Sequence, residues 1–324
     1  MRRLVALGDL VLDIVVRPSE PLLRGSDVAG EIGFRTGGSA ANTCRAFVAA
    51  GGRATFIGAV GDDAWGRRLA ASLRRDGVTP RLAKVALPTA RLVAMLDPGG
   101  ERSFVTQRGA ADRLRPADVR RQWLAGCDAL HLPAYSLLTE PLRRAALLAV
   151  SVARDRGALI SLDLASRGPL LQAGRRTAIE RIAEVSPDLL LANAGEVDAL
   201  TGRRGGRRLL ELAPVVVIKE GSAGCRVMWR PAGASSADLL ELDVATTPLG
   251  ATDTTGAGDA FDAGFLYALL SSGAREPAAG TGGQLAGEDR RQALRRAQVL
   301  RRAAVAGHRA AARTLAGPRP ELLL

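Results

Sequence analysis

The sequence predicts an α/β protein of three layers, with helices on both faces of a mainly parallel sheet and a small second β-sheet beside it. Two observations carry this. Short apolar, β-branched runs alternate with amphipathic helical stretches along most of the 324 residues, the pattern of βαβ units. Two regions break that rhythm with residues of alternating polarity, the mark of hairpins rather than buried parallel strands. In chain order, Leu4–Leu7 is the first strand candidate, and Ile14–Arg35 is the first irregular region. Ala40–Ala50 reads as a helix, Ala54–Ile57 as a strand, and Trp65–Asp76 as a second helix. The second irregular region, Lys84–Gln107, holds two alternating segments about a turn at Asp97-Pro98-Gly99-Gly100. Strands follow at Ala129–Leu132, Ala158–Leu162, Leu189–Ala192 and Val215–Lys219, with helices at Thr139–Arg156 and Gly195–Thr201 between them. A further helix runs to Leu270, and Ser271–Glu288, rich in Gly, Ala and Ser, reads as a flexible insertion between it and a following helix. The expected division is a core of residues 1–13, 37–83 and 108–324, with 14–36 and 84–107 forming a β lid.

Composition removes several classes of function. Hydrophobic residues are 47% of the chain, enough for a core, so it is not a disordered protein. Cys44, Cys127 and Cys225 are odd in number and far apart, which excludes a disulfide scaffold. No run of about 18 apolar residues occurs, and the N-terminal apolar run is too short for a signal peptide. A cytoplasmic protein without a membrane partner is expected. The net charge of +12 raises nucleic acid as a partner. However, Lys84 and Lys219 are the only lysines, and the 43 arginines are scattered as doublets on helix faces. No basic block or aromatic-basic platform is visible, so no nucleic-acid role is expected. With two histidines and no paired cysteines there is no zinc-type constellation, and His131 and His308 read as structural.

The chemistry concentrates in Thr252-Asp253-Thr254-Thr255-Gly256-Ala257-Gly258-Asp259-Ala260-Phe261-Asp262-Ala263-Gly264-Phe265. Small residues at 256–258 let backbone N–H groups converge at a helix N-terminus, a site for an anion. A carboxylate directly after such a nest would repel a phosphate. It makes sense if Asp259 faces a hydroxyl that loses its proton as it attacks one. The alternative is an Asp capping a helix behind a glycine turn.

That string resembles the signature of the ribokinase-like (phosphofructokinase-B) family of sugar and nucleoside kinases. A second signature has its counterpart in Gly37-Gly38-Ser39-Ala40-Ala41-Asn42-Thr43, followed by Gly51-Gly52 and Gly58-Ala59-Val60-Gly61-Asp62-Asp63. Gly8-Asp9 with Asp13, Pro88-Thr89, Arg108-Gly109-Ala110 and Asn193-Ala194-Gly195-Glu196 match further elements. The resemblance spans residues 4–300 and implies a Rossmann-like core with a small β-sheet lid. It implies that Asp259 is the catalytic base and that Gly256, Ala257 and Gly258 are an anion hole for the transferring phosphoryl group. Asp13, Gly37, Gly38 and Asn42 would hold the sugar. Asn193 and Glu196 would organise Mg2+ through water. Lys219, Gly221, Ser222 and Gly224 would line the ATP, and Asp253 and Thr255 would bind a monovalent cation such as K+. Gln298 stands where the family commonly has an Asn near the adenine, and the 271–288 insertion is a departure. Arg167 sits near a substrate motif that here lacks its Pro and Asn.

The substrate is less sharply marked. Asp13, Gly37, Gly38 and Asn42 point only to polyol hydroxyls. Phe34 and Phe104 are the available lid aromatics, a thin shelf for a nucleobase. The reading is an ATP-dependent kinase of a monosaccharide hydroxymethyl group. A nucleoside kinase, a sugar-phosphate kinase and a catalytically silent binding protein are the alternatives. The resemblance also implies a homodimer through the lids.

Overall fold

The computed structural model describes residues 1–96, 102–165, 167–202, 205–230, 239–250, 253–273, 290–317 and 322. Its first third comprises β1 (Arg3–Leu7), β2 (Val11–Pro18), β3 (Gly30–Gly37), α1 (Ser39–Ala49), β4 (Arg53–Gly61), α2 (Ala64–Arg75), β5 (Thr79–Val85), β6 (Arg91–Leu96) and β7 (Arg102–Gln107). There follow β8 (Ala129–Pro133), α3 (Leu142–Arg154), β9 (Leu159–Asp163), α4 (Arg167–Leu171), α5 (Arg175–Val185), β10 (Leu189–Asn193) and α6 (Ala194–Thr201). The chain then continues through β11 (Val215–Lys219), β12 (Cys225–Trp229), β13 (Leu240–Val244), α7 (Ala257–Ser271) and α8 (Arg290–Ala316).

Nine strands form one sheet in the order β13-β12-β11-β10-β9-β8-β1-β4-β5. All neighbours are parallel except β11–β12 and β12–β13. Strands such as Leu189-Leu190-Leu191-Ala192 and Val215-Val216-Val217-Ile218 are apolar without alternation because both faces are covered. On one face α3, α5 and α6 pack over Leu130, Ile160, Leu190 and Val216. On the other, α1, α2, α7 and α8 pack over Leu4, Phe56, Leu191 and Val217. The second sheet has the order β3-β2-β6-β7: two antiparallel hairpins joined by parallel β2 and β6.

Three strands lie outside the sequence expectation: β5, β12 and β13. Thr79-Pro80-Arg81-Leu82-Ala83-Lys84-Val85 has a proline and two cations, which an edge strand tolerates. Lys84 and Val85 therefore end β5 of the large sheet, and the small sheet takes in Val11–Asp13 at its other border. β12 and β13 extend the opposite edge as an antiparallel ribbon. The expected turn at 97–100 and the expected loop beyond Gly273 lie outside the described residues.

Candidate active site

The C-terminal ends of β1, β8, β9, β10 and β11 point to one region, where ligands bind in open α/β sheets. The N-termini of α1 and α7 converge there. Gly256 is the N-cap of α7, with φ 74° and ψ −1°. This left-handed conformation favours glycine and turns the chain into the helix. Ala257 N–H bonds to the Thr254 carbonyl at 3.2 Å. The N–H groups of Gly258 and Asp259, in the first turn, have no intrahelical acceptor.

Asp259 sits in that turn, half-buried. Ser39 Oγ donates to its Oδ1 at 2.7 Å and Asn42 Nδ2 donates to its Oδ2 at 2.9 Å. Both donors come from α1, one turn apart, so one helix fixes the carboxylate's orientation. Burial pushes the Asp259 carboxyl up to about 6; Asp163 adds to the rise, while the two hydrogen bonds and Lys219 oppose it.

The small sheet closes a cavity of about 380 Å3 over this point. Asp13, Asn42 and Gly256 line it, with Arg17, Arg35 and Arg45. Burial, with Asp9 and Asp259 nearby, raises the Asp13 carboxyl to about 7 despite Arg45 and Arg35. Gly37 lies so close to Asp13 that a Cβ there would stand 2.3 Å from its carboxylate oxygens. At Gly38, φ is +99° and a Cβ would stand 2.3 Å from the Asp9 carbonyl oxygen. These two glycines let the Asp13 carboxylate and the Asp9 backbone press against the start of α1. Asp9 itself is buried, with Oδ2 accepting from Arg108 at 3.0 Å. Of the two aromatics, Phe104 lines the cavity, whereas Phe34 stacks on Trp65 at 5.2 Å and takes no part.

Lys219 does not read as a solvated strand end. Its ammonium lies 3.0 Å from Asp163 Oδ1 and 3.0 Å from Asp262 Oδ1, and the two acids are 6% and 0% exposed. Burial alone would push the ammonium down, but Asp163, Asp262 and Glu196 hold it above its ordinary value. A Cβ on Gly258 would be 3.5 Å from Lys219 Nζ, so the cation underlies the α7 turn as part of the fold. Asn193 and Glu196 form a reciprocal cap on α6: Glu196 N–H donates to Asn193 Oδ1 and Asn193 N–H to Glu196 Oε2, each at 2.9 Å. Burial, then Asp163, raises the Glu196 carboxyl to about 7. The β11–β12 turn carries Gly221 and Ser222, exposed, and Gly224, buried, beside Asn193, which pairs with Lys219 in register. Gln298 is exposed on α8, and Arg167 is exposed at the start of α4; neither makes a described bond to these groups.

The acids Asp163, Glu196, Asp259 and Asp262 thus gather around one ammonium. Among the described residues, no three His, Cys, Asp or Glu groups are arranged to hold a metal directly. A site with surplus negative charge but no cage fits Mg2+, which keeps its waters and is shared with phosphate oxygens. The K+ expectation meets a different arrangement. Asp253 Oδ1 accepts from Thr255 N–H at 3.1 Å and Oδ2 from Arg35 at 3.2 Å. A guanidinium already neutralises this carboxylate, so these two residues do not fit a monovalent cation site. Ser39, Asp163, Asp262 and Arg35 are the members of the constellation that motif reading passes over.

Comparison with known proteins agrees with this geometry. The model of the pfkB family of carbohydrate kinases matches residues 1–314. Probable fructokinase-3 of Arabidopsis thaliana is 31% identical over 82% of this chain and 77% of its own. An adenosine kinase from Sinorhizobium meliloti superposes with a TM-score of 0.73 at 22% identity, covering 98% of this chain and 96% of that one. A fructokinase with bound ATP from Xylella fastidiosa gives 0.72 at 22% identity, over 94% and 91%. This chain belongs to the pfkB family of carbohydrate kinases, phosphotransferases that act on a sugar hydroxyl.

Proposed function

We propose that the chain transfers the γ-phosphoryl group of ATP, with Mg2+, to a hydroxymethyl oxygen of a monosaccharide, with Asp259 as general base. The observation that carries this reading is the Asp259 carboxylate. It is held by Ser39 and Asn42 at the first turn of α7, between Gly256 and Ala260, which line the cavity that contains Asp13. A carboxyl raised to about 6 is ionised at neutral pH yet more basic than an ordinary aspartate, which suits it to accept a hydroxyl proton. Asp13 and Asn42 position the other hydroxyls, since a carboxylate accepts and an amide does both. The unpaired N–H groups after Gly256 face the charge that builds on the moving phosphoryl group, the main demand of this reaction. Mg2+ would supply neutralisation of the phosphate oxygens, with Glu196 and Asn193 as the residues nearest to hold its waters.

The four-stranded sheet acts as the lid, excluding water as a competing acceptor. Cavity-lining residues on its strands alternate with Val16, Val93, Met95 and Val105 on the far face. Ile32, opposite Val16, and Val105 are both 64% exposed. A second copy of the chain covers this apolar face. No helix of the described residues is long and apolar enough to cross a membrane.

The nucleoside reading is weakened because Phe104 is the one aromatic lining the cavity among the described residues. A second reading within the sugar class is favoured by the arginines: Arg45 Nη2 and Arg35 Nε are buried without a hydrogen-bond partner beside the cavity. An acidic or phosphorylated sugar would satisfy them. Asp259→Asn tests the mechanism. It should keep nucleotide binding and lose at least about 100-fold in kcat; turnover within a few-fold of the parent would refute the base assignment. Running both proteins against neutral, acidic and phosphorylated monosaccharides and adenosine separates the substrate readings.

A further inference from the structure

Away from this site, a concave groove of about 800 Å3 lies at the β5 edge of the large sheet, between α2 and residues 120–123. Arg3, Arg67, Arg74, Arg81, Lys84 and Arg120 line it, and among the described residues no carboxylate does. Asp62 takes Lys84 at 3.1 Å and Arg67 at 3.9 Å. Among the described residues, Arg3, Arg74, Arg81 and Arg120 make no ion pair. The guanidinia of Arg81 and Arg120 lie 5.9 and 5.8 Å from the Trp123 ring, which holds them towards the same space. Single features have ordinary explanations. Cations on an edge strand block edge-to-edge pairing, and Arg74 suits the C-terminal end of α2. Neither explains why Arg3, Arg74, Arg81 and Arg120, from four separate segments and without an ion pair among the described residues, converge on one concavity beside the Asp62-paired Lys84 and Arg67, where they repel one another unless an anion lies between them.

We propose that this groove is a second binding site, for a small molecule carrying two or more phosphate groups. Its volume is that of a small-molecule site, and its concave shape offers no extended track for a nucleic-acid backbone. The position also gives the ligand a route to the chemistry, a consequence that rests on the kinase reading above. Gly61 and Gly66 form part of the groove wall. Gly61 N–H donates to Thr89 Oγ1 at 3.0 Å, and Asp63 accepts from Gly66 N–H at 2.7 Å and from Thr89 N–H at 2.8 Å. Thr89 stands two residues before β6, whose Leu92, Ala94 and Leu96 line the catalytic cavity. An occupant of the groove therefore bears on the root of the small sheet and should change the sugar KM.

The test is titration of the full chain with tripolyphosphate, without sugar and with the nucleotide site saturated by a non-hydrolysable ATP analogue. Trp123 is the fluorescence reporter, with calorimetry in parallel, and the Trp123→Phe variant checks the optical signal. The expected result is saturable binding that Arg81→Gln with Arg120→Gln weakens at least about 10-fold, as loss of two charge-assisted contacts requires. Lys84→Gln, at a position whose side chain is 61% exposed, should weaken it several-fold with an unchanged melting temperature. Equal affinity in parent and both variants would overturn the site. A mixed-sequence oligonucleotide that binds more tightly than tripolyphosphate, and loses binding in the same variants, would overturn the small-molecule assignment. Because binding is read without turnover, an inactive kinase would leave this result standing.

Discussion

Lys219→Met removes the one cation from the acid cluster beneath the α7 turn, and its effect can be worked through in stages. The ammonium holds Asp163 and Asp262 at 3.0 Å each, with exposures of 6% and 0%. Breaking a buried pair by removing one partner costs about 3–5 kcal/mol, because the remaining charge stays buried. The folded variant escapes part of this by taking up a proton. Holding one carboxylic acid of ordinary pKa near 4 neutral at pH 8 costs about 1.4 kcal/mol per pH unit, or about 5 kcal/mol. The penalty at pH 8 is therefore near 4 kcal/mol. At pH 6 the proton costs only about half as much, so the penalty cannot exceed about 3 kcal/mol. The sign follows from linkage. The variant's folded state binds one proton more than its unfolded state, so its stability falls relative to the parent as pH rises. For a chain of 324 residues, about 2 °C per kcal/mol gives a melting-temperature gap near 8 °C at pH 8. Calorimetry of both proteins at pH 6, 7 and 8 reads it. A second signature comes from Asp259, whose carboxyl Lys219 helps to keep down. The acid limb of kcat/KM should move up by about half a unit to one unit. A gap below about 1 kcal/mol, or one that does not widen with pH, would refute the claim that this ammonium offsets buried carboxylates.

Three other outcomes follow from the same geometry. Asp13→Asn should stabilise the unliganded protein at pH 8 while raising the sugar KM at least about tenfold. The raised folded pKa, about 7 against 3.8, means that stability is lost as pH climbs through that window. The full shift would be worth about 4 kcal/mol, and water at the cavity mouth reduces this to about 2 kcal/mol; a lower melting temperature at pH 8 would contradict it. Activity should vary less than about twofold between buffers with K+ and with a bulky organic cation, because Arg35 already neutralises Asp253; a tenfold dependence on K+ would return that site to the carboxylate. Gly37→Ala should raise the KM about tenfold or more, since its methyl would occupy the place of the Asp13 carboxylate; unchanged kinetics would show that Asp13 does not hold the sugar.

Most of the parallel sheet was legible because apolar runs such as Val215-Val216-Val217-Ile218 have no other reading once helices flank them. The edge strands were not. Pro80, Arg81 and Lys84 interrupt β5, and its pairing with β4 is a tertiary fact. At the site, residues 256–259 were visible as a nest followed by an acid, since local backbone chemistry carries that signal. Ser39 carries no signal of its own beyond a glycine-rich helix start, although its place three residues before Asn42 puts both on one face of α1. Asp262 offered a clearer hint. A carboxylate among Ala260, Phe261, Ala263 and Phe265 on an apolar helix needs a buried partner. Which partner it takes depends on the register that brings β9 and β11 on either side of β10, and no local pattern contains that register.

The same register explains why so basic a chain leaves its reaction centre acidic. The chain has 45 cationic side chains, and among the described residues Lys219 alone enters the cluster of Asp163, Glu196, Asp259 and Asp262. One further lysine would neutralise more of that charge, and it would do so permanently. Burial, with Asp163 adding to it, instead keeps Glu196 raised to about 7 and Asp259 to about 6. Each carboxyl therefore gains most from a cation that arrives with the nucleotide. A Mg2+-bound nucleotide would draw both pKa values down, and hold Asp259 in the ionised form it already has at neutral pH. The arginines follow the same logic from the other side. Arg35 and Arg45 line the cavity with Asp13, whose carboxyl they help to hold down. On the proposed reaction the site would separate fixed positive charge, beside the acceptor, from imported positive charge, which arrives with the donor.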